Sequence, residues 1–334
     1  MSKSAFFASP EKPLDAAQTQ KLFDEIFEGG LSHEELTLYL AASADRRPTV
    51  EELIGAARSM RAHMRPVRAP EGAMDLCGTG GDGLGTLNIS TAVSFVVAAA
   101  GVVVAKHGNR SMSSRSGAAD VLEALGVKID LSPETAERVL AQTGLVFLFA
   151  QTFHPAMRHA AQARREIGRR TIFNLLGPLA NPASVTRQLV GVFGKECLMA
   201  YGEALRATGT TRAMVVHGRD GLDELTITGP SDIVMLDGAA LNAAEITPAD
   251  ASLPTGPLAA LKGGDGVHNA GRLEALFSGE QGPYRDIVLL NAAAALIVAG
   301  RAKDIKEGAG LAAEMLDSGA AKAKLSQLVT ASRQ

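Results

Sequence analysis

The sequence predicts an α/β protein: a small N-terminal helical domain followed by a large α/β domain with a mostly parallel central sheet covered by helices. Three observations carry this. Up to about residue 70 the apolar residues recur at helical spacing behind capping-box starts. From Met74 onward short β-rich runs alternate with helical patterns, the order that gives parallel strands under crossover helices. A glycine-rich loop at 78–85 then runs into an apolar helix. Residues 1–70 are read as the helical domain, joined by part of 155–190, and residues 71–334 as the α/β domain.

In chain order, Leu22, Phe23, Ile26 and Phe27 share one helical face. Ser32 with Glu35 and Thr49 with Glu52 have capping-box spacing: the hydroxyl accepts from an early backbone N–H and the acid reaches back. Leu53, Ala56, Ala57, Met60 and Met64 line the face of the next helix, and Arg61 to Pro70 reads as a connection. Strands are predicted at Val102–Ala105, Val146–Phe149, Leu189–Phe193 and Met214–His217. Helices are predicted at 92–100, Ala118–Leu125 and Pro133–Thr143, the last with proline in its first turn and Gly144 as its C-cap. Phe153–Thr171 reads as helical and strongly basic, a stretch returning to the first domain, and the tail from Asn291 reads as helices.

The chain has 334 residues, enough for one large domain or two moderate ones. A net charge of -3 disfavours nonspecific nucleic-acid binding, and 4% aromatics without tryptophan disfavour a base-stacking surface. The run Ala92–Ala105 is too short to cross a bilayer, and the N-terminus lacks a signal-type apolar core. Cys77 and Cys197 sit in no CxxC pair, so a zinc site is not expected and reduced cytoplasmic thiols are.

Five segments carry chemistry. In Gly78-Thr79-Gly80-Gly81-Asp82-Gly83, missing Cβ atoms let backbone N–H groups converge on an oxyanion. The same letters fit a dinucleotide turn, but no Asp or Glu lies between Gly83 and Ala119 to hold a ribose, which disfavours a nicotinamide cofactor. Asn88-Ile89-Ser90-Thr91 opens the apolar helix, whose N-terminus favours phosphate; plain capping by Ser90 or Thr91 is the alternative. Lys106-His107-Gly108-Asn109-Arg110, followed by Ser111, Ser113 and Ser114, lies just beyond a predicted strand, where open α/β sheets bind ligands; the alternative is a solvated basic loop. His107 is given no proton-transfer role. Asp223-Glu224 offers adjacent carboxylates suited to Mg2+ bridging to phosphates, or else a solvated acidic turn. Arg164, Arg165, Arg169 and Arg170 form a basic helix end that either faces an anionic substrate or is surface charge.

The segments GTGGD, NIST, KHGNRSMSS, HPAMRHAAQARREIGRRTIFNLLGPLANP and HGRDGLDE, in this order, resemble the anthranilate phosphoribosyltransferase family over most of the chain. The resemblance implies transfer of the phosphoribosyl group of 5-phospho-α-D-ribose 1-diphosphate to the amine of anthranilate, the second step of tryptophan synthesis from chorismate. It implies Mg2+, taken as two ions, and a homodimer formed through the helical domain; the thiols add a cytoplasmic setting, and the charge and the absence of a bilayer-length apolar run add no nucleic-acid or membrane partner. By matched position, Gly78, Gly81, Asp82, Thr86, Asn88, Ile89, Ser90, Thr91, Lys106, His107, Gly108, Asn109, Arg110, Ser111, Met112, Ser113, Ser114 and Ala118 would hold the sugar diphosphate. Gly78, Asn109 and Arg164 would contact anthranilate, and Ser90, Asp223 and Glu224 the metal, with no covalent nucleophile. Leu87 replaces a common aromatic, Ala118 a frequent serine and Arg115 a frequent lysine, and the helix at Leu40–Arg47 lacks the family's basic, glycine-ended pattern. The competing readings are a pyrimidine nucleoside phosphorylase, a catalytically silent ligand-binding homologue and a nicotinamide-dependent dehydrogenase.

Overall fold

A computed structural model describes residues 12–111 and 115–334. It opens with α1 (Ala16–Phe27), α2 (His33–Ser43) and α3 (Val50–Ala62), each started by a complete capping box. Two are the predicted Ser32/Glu35 and Thr49/Glu52; the third is Asp15/Gln18. Leu22, Phe23, Ile26 and Phe27 of α1 are buried in one cluster with Leu53, Ala56, Ala57 and Met60 of α3. The two helices touch backbone to side chain at Gly55, where a Cβ would lie 2.3 Å from the Ala16 carbonyl oxygen.

The large unit is a seven-stranded sheet: β1 (Met74–Leu76), β2 (Val104–Gly108), β3 (Leu145–Phe149), β4 (Arg187–Gly191), β5 (Arg212–Gly218), β6 (Ser231–Asp237) and β7 (Ala240–Ile246). The spatial order is β3-β2-β1-β4-β5-β6-β7. The first five strands are parallel, and β6 and β7 extend β5 as an antiparallel meander. The chain leaves β1 toward β2 on one side and later returns to β4 on the other. The β1–β4 boundary is therefore a switch point, and ligands of such sheets bind outside the carboxyl ends there.

Side chains alternate across each strand. On β5, Met214 and Val216 join one core, shared with α4 (Ile89–Ala99), α10 (Gly266–Phe277), α11 (Pro283–Val298), α12 (Ile305–Asp317) and α13 (Ala320–Arg333). Ala213 and Val215 join the other core, with α9 (Leu198–Ala207) and the helical lobe. The helical lobe therefore shares a core with one sheet face. Between β2 and β3 run α5 (Ala118–Ala124) and α6 (Pro133–Thr143). Among the described residues no helix is long and apolar enough to cross a membrane.

Three expectations are corrected. The basic stretch is not one helix: α7 (Ala150–Phe153) stops before a single turn at Pro155–Met157, and α8 (Arg158–Ile167) ends at Gly168, whose φ is 62°. Proline lacks the N–H needed to continue α7, and the left-handed glycine closes α8. Strand β2 begins two residues later than predicted and includes Lys106, His107 and Gly108, because its ladder to β3 continues to the pair Gly108↔Phe149. Strands β1, β6 and β7 are not among the predicted strands: β1 is only three residues long, and β7 reads ALNAAEI, mostly exposed and without a β-branched residue before Ile246. The available signal was the Asp237-Gly238 turn, with φ 59° at Gly238.

Gly55→Ala is expected to lower unfolding stability by about 1–3 kcal/mol through overpacking, read as a lower urea midpoint. An unchanged midpoint would show that α1 and α3 separate freely.

Candidate active site

The carboxyl ends of the parallel strands meet at a cavity of about 760 Å³ between the sheet and the helical lobe. The loop after β1 supplies Gly78 to Gly81, the end of β2 supplies Lys106 to Ser111, and Met60 and Arg164 enter from α3 and α8. Ser90 and Ala118 also line it.

The glycine loop has left-handed backbone at Gly80, Gly81, Gly83 and Gly85, with φ of 65°, 83°, 77° and 64°. L side chains resist that region. The loop is tied to its neighbours: Thr79 N donates to the Gly191 carbonyl at 2.8 Å, and Gly80 N donates to Asp223 Oδ2 at 2.9 Å. A Cβ on Gly191 would lie 1.5 Å from the Asp223 carbonyl oxygen, and one on Gly78 would lie 2.9 Å from Asp223 Oδ2. The loops following β1, β4 and β5 therefore interlock only because these positions lack side chains. Glu224 shares a small adjoining void with Gly78 and Ser90.

Helix α4 starts at Asn88 with no side-chain cap, so neither Ser90 nor Thr91 is spent on capping. Ser90 Oγ accepts from Lys106 Nζ at 3.3 Å, and Lys106, only 4% exposed, also donates to the Leu76 carbonyl. Lys106 is thus a buried ammonium beneath the site. Thr91 is buried, with no partner for Oγ1 among the described residues, and Ile89 belongs to the sheet core. Asn88 Oδ1 accepts from Asn269 Nδ2 at 2.7 Å, and Thr86 bridges to Lys262. Asp82 bonds Leu84 N within the loop at 3.0 Å. These five residues flank the cavity instead of lining it. Leu87 packs into the core.

His107 is buried, and its Nδ1 lies 2.9 Å from the Gly177 carbonyl. That carbonyl fixes the proton on Nδ1, leaving Nε2 as an acceptor with no partner among the described residues. Burial, with Lys106 nearby, lowers its pKa to about 4. Gly108 has no room for a side chain: a Cβ would meet Phe147 at 2.7 Å. Asn109 Oδ1 accepts from Arg110 N at 2.8 Å. Arg110 pairs with Asp120 at 2.9 Å and Glu123 at 2.5 Å, turning its guanidinium toward α5. Arg164 lies 5.3 Å from the Phe173 ring centroid, and burial lowers its pKa. Met112, Ser113 and Ser114 lie outside the described residues.

Sequence reasoning singled out neither His154 nor Asp75. His154 lines the cavity with its ring centroid 5.0 Å from that of His107, and burial, then His107, lowers its pKa to about 3. The available signal was its place in HPAMRH, just before Pro155. Asp75 accepts from Leu76 N, His107 N and Asn181 Nδ2 at 2.7, 2.9 and 2.7 Å, pinning the ends of β1 and β2 together. Asp75, Cys77 and His107 place ligand-type atoms within 4.8 Å of one another. The carboxylate is already taken by three N–H groups, and burial pushes the Cys77 thiol well up from its ordinary value, so the cluster reads as a support.

Asp223 and Glu224 are both shifted well above the ordinary carboxylate range. Neither lines the main cavity; desolvation by burial is the main cause for each shift, followed by the Asp82 charge for Asp223 and the Asp223 charge for Glu224. Two adjacent hard carboxylates, Glu224 sharing a void with Ser90 and feeling the Asp223 charge, match the donor chemistry of Mg2+.

Residues 70–322 match the "Glycosyl transferase family, a/b domain", and residues 9–64 match its "helical bundle domain". An anthranilate phosphoribosyltransferase of Methylocella silvestris is 54% identical over 96% of this chain and 92% of its own. The crystal structure of the Thermus thermophilus anthranilate phosphoribosyltransferase superposes with a TM-score of 0.92 at 41% identity, covering 98% of this chain and 99% of that one. The Saccharomyces cerevisiae enzyme in complex with PRPP and Mg gives 0.90 at 25% identity, covering 99% of both chains.

Raised folded-state pKa values mean that the metal-free fold binds more protons than the unfolded chain between about pH 4 and neutrality. Stability from this pair is therefore present in acid and lost as pH rises through that window. Melting temperature of the metal-free protein is expected to fall more from pH 5 to pH 8 than that of an Asp223→Asn, Glu224→Gln variant. Parallel curves would contradict the assignment.

Proposed function

The chain belongs to the glycosyl transferase family, as an anthranilate phosphoribosyltransferase, and on that premise we propose how its cleft carries out the transfer. The reaction joins the amine of anthranilate to C1 of 5-phospho-α-D-ribose 1-diphosphate. A C–N bond forms, the C1–O bond to diphosphate breaks, and the amine loses one proton. The observation that carries the assignment is the glycine loop, which lines one cleft with the half-buried Arg164 and is bonded behind it to Asp223 at the switch point, with Glu224 in the adjoining void.

The amides of Gly78 to Gly81 and the N-terminus of α4 take the diphosphate, where fixed N–H dipoles stabilise charge as it accumulates on the leaving group. Lys106 holds Ser90 from below and keeps the floor of the site electropositive. Asp82, Thr86, Asn88, Ile89 and Thr91 shape the cradle, while Lys106 through Ser111 and Ala118 form its second wall; Met112, Ser113 and Ser114, outside the described residues, are assigned to the sugar diphosphate by matched position alone. Ser90, Asp223 and Glu224 hold Mg2+, two ions in our reading. When bound, Mg2+ supplies positive charge to the departing diphosphate.

Arg164 faces the anthranilate carboxylate, where pairing relieves a desolvated guanidinium. His107 and His154 stay neutral and offer ring nitrogens and an apolar wall beside Asn109 and Gly78. Positive charge develops at C1 as in other sugar transfers, and the neutral aromatic amine needs only to be positioned. No covalent nucleophile is used. We read 1–70 with part of 155–190 as the helical lobe through which a cytoplasmic homodimer forms, and 71–334 as the lobe that binds the sugar diphosphate.

Anthranilate fluorescence is expected to disappear on adding the sugar diphosphate and Mg2+, and persistent emission would reject the activity. Arg164→Ala is expected to raise the KM for anthranilate by about 10- to 100-fold, the scale of a lost charge-assisted hydrogen bond, while the KM for the sugar diphosphate moves little. Equal effects on both would contradict a carboxylate contact. Asp223→Asn with Glu224→Gln should cripple turnover chiefly at low Mg2+, and unchanged metal dependence would remove the pair from the metal site.

A further inference from the structure

The crest of the glycine loop stands nearly free: a Cβ on Gly80, Gly83 or Gly85 would meet nothing within 4 Å. Among the described residues, three hydrogen bonds tie residues 79–81 to other segments. Two go to the β4 and β5 ends, through the Gly191 carbonyl and Asp223. The third comes from the opposite side: Arg170 donates from a terminal guanidinium nitrogen to the Gly81 carbonyl. The Arg170 guanidinium also lies over the Phe193 ring, 4.3 Å from its centroid, which fixes the plane from which it donates. The residue before it works in the other direction. Arg169 donates to Asp45 at 2.5 Å and to the Ala41 carbonyl at 2.6 Å, at the negative end of α2. Two adjacent arginines therefore grip the helical lobe and the phosphate loop.

The loop's tethers are not equivalent once ligands arrive. The Gly80 N–H that Asp223 accepts is a donor for which a diphosphate oxygen competes, so that tether is the one open to exchange. The Arg170 bond falls on a carbonyl, which a diphosphate does not compete for. A trans peptide sets its C=O and N–H in opposite directions. Holding the Gly81 carbonyl toward Arg170 thus turns Asp82 N–H the other way.

We propose that Arg170 is a positioning residue for the sugar diphosphate, acting through the Gly81 carbonyl to keep the loop crest in its binding shape and, with Arg169, tying that shape to the helical lobe. This deepens the functional reading above and rests on it.

The test is Arg170→Ala in the full chain, with Arg170→Lys and Phe193→Leu beside it. Steady-state kinetics is paired with hydrogen exchange of the peptide spanning residues 78–86 in ligand-free protein. Arg170→Ala is expected to raise the KM for the sugar diphosphate about tenfold, to move kcat and the KM for anthranilate less than about threefold, and to speed exchange in that peptide. Arg170→Lys keeps a donor and loses the planar stack, so it restores part of both readouts; Phe193→Leu shifts both in the alanine direction. Wild-type KM and exchange in Arg170→Ala would overturn the proposal. So would a raised KM with unchanged exchange, which would mean direct contact with the ligand. Absence of turnover in the wild type would count against the functional reading, and the exchange comparison would still decide the role of Arg170 in the loop.

Discussion

The hydrogen bond from Gly80 N to the Asp223 carboxylate is the contact on which the site depends. It joins the loop after β1 to the loop after β5, although 143 residues separate them in sequence. It forms only because parallel strands deliver both loops to one edge of the sheet and because Gly78 and Gly191 leave no side chain in the way. In the ligand-free fold the carboxylate occupies one amide of a cradle suited to diphosphate. A divalent cation on the carboxylate side and an anion on the amide side would satisfy both partners at once. Cation and sugar diphosphate are therefore complementary demands of one contact.

Charge in the cleft is arranged in layers. Asp223 and Glu224 lie behind the glycine loop, within the electrostatic reach of the buried Lys106. Asp75 carries the next layer and is itself pushed up to about 6 by burial, against the pull of Lys106 and three hydrogen bonds. Its work is mechanical: it replaces ladder bonds between β1 and β2, which share a single register pair, and so fixes where Lys106 and His107 stand. At the far wall two neutral histidines and a half-buried arginine make a surface suited to a flat aromatic acid.

Much of this was legible in the sequence because it is local. Capping boxes are three-residue patterns, the glycine loop is contiguous, and Pro133 and Gly144 bound α6 where their backbone chemistry requires. The Asp223-Glu224 pair was readable as donor chemistry, and its partner loop was readable as an anion cradle. What was hidden depends on distant contacts. Lys106 looked like a basic loop residue until the β2–β3 ladder placed it inside the strand. Arg110 looked free until Asp120 and Glu123 turned it toward α5. Asp75 needs Asn181, 106 residues away, to make sense as a buried carboxylate. His154 stands at the break that Pro155 makes in the basic helical stretch, where it lines the cavity.

The most direct measurement is a crystal structure of this chain soaked with 5-phospho-α-D-ribose 1-diphosphate and Mg2+. The account predicts diphosphate oxygens against the amides of Gly78 to Gly81, the cation beside Asp223 and Glu224, and Gly80 N–H released from Asp223 to the ligand. Ligand bound elsewhere, with the Gly80–Asp223 bond intact, would contradict it.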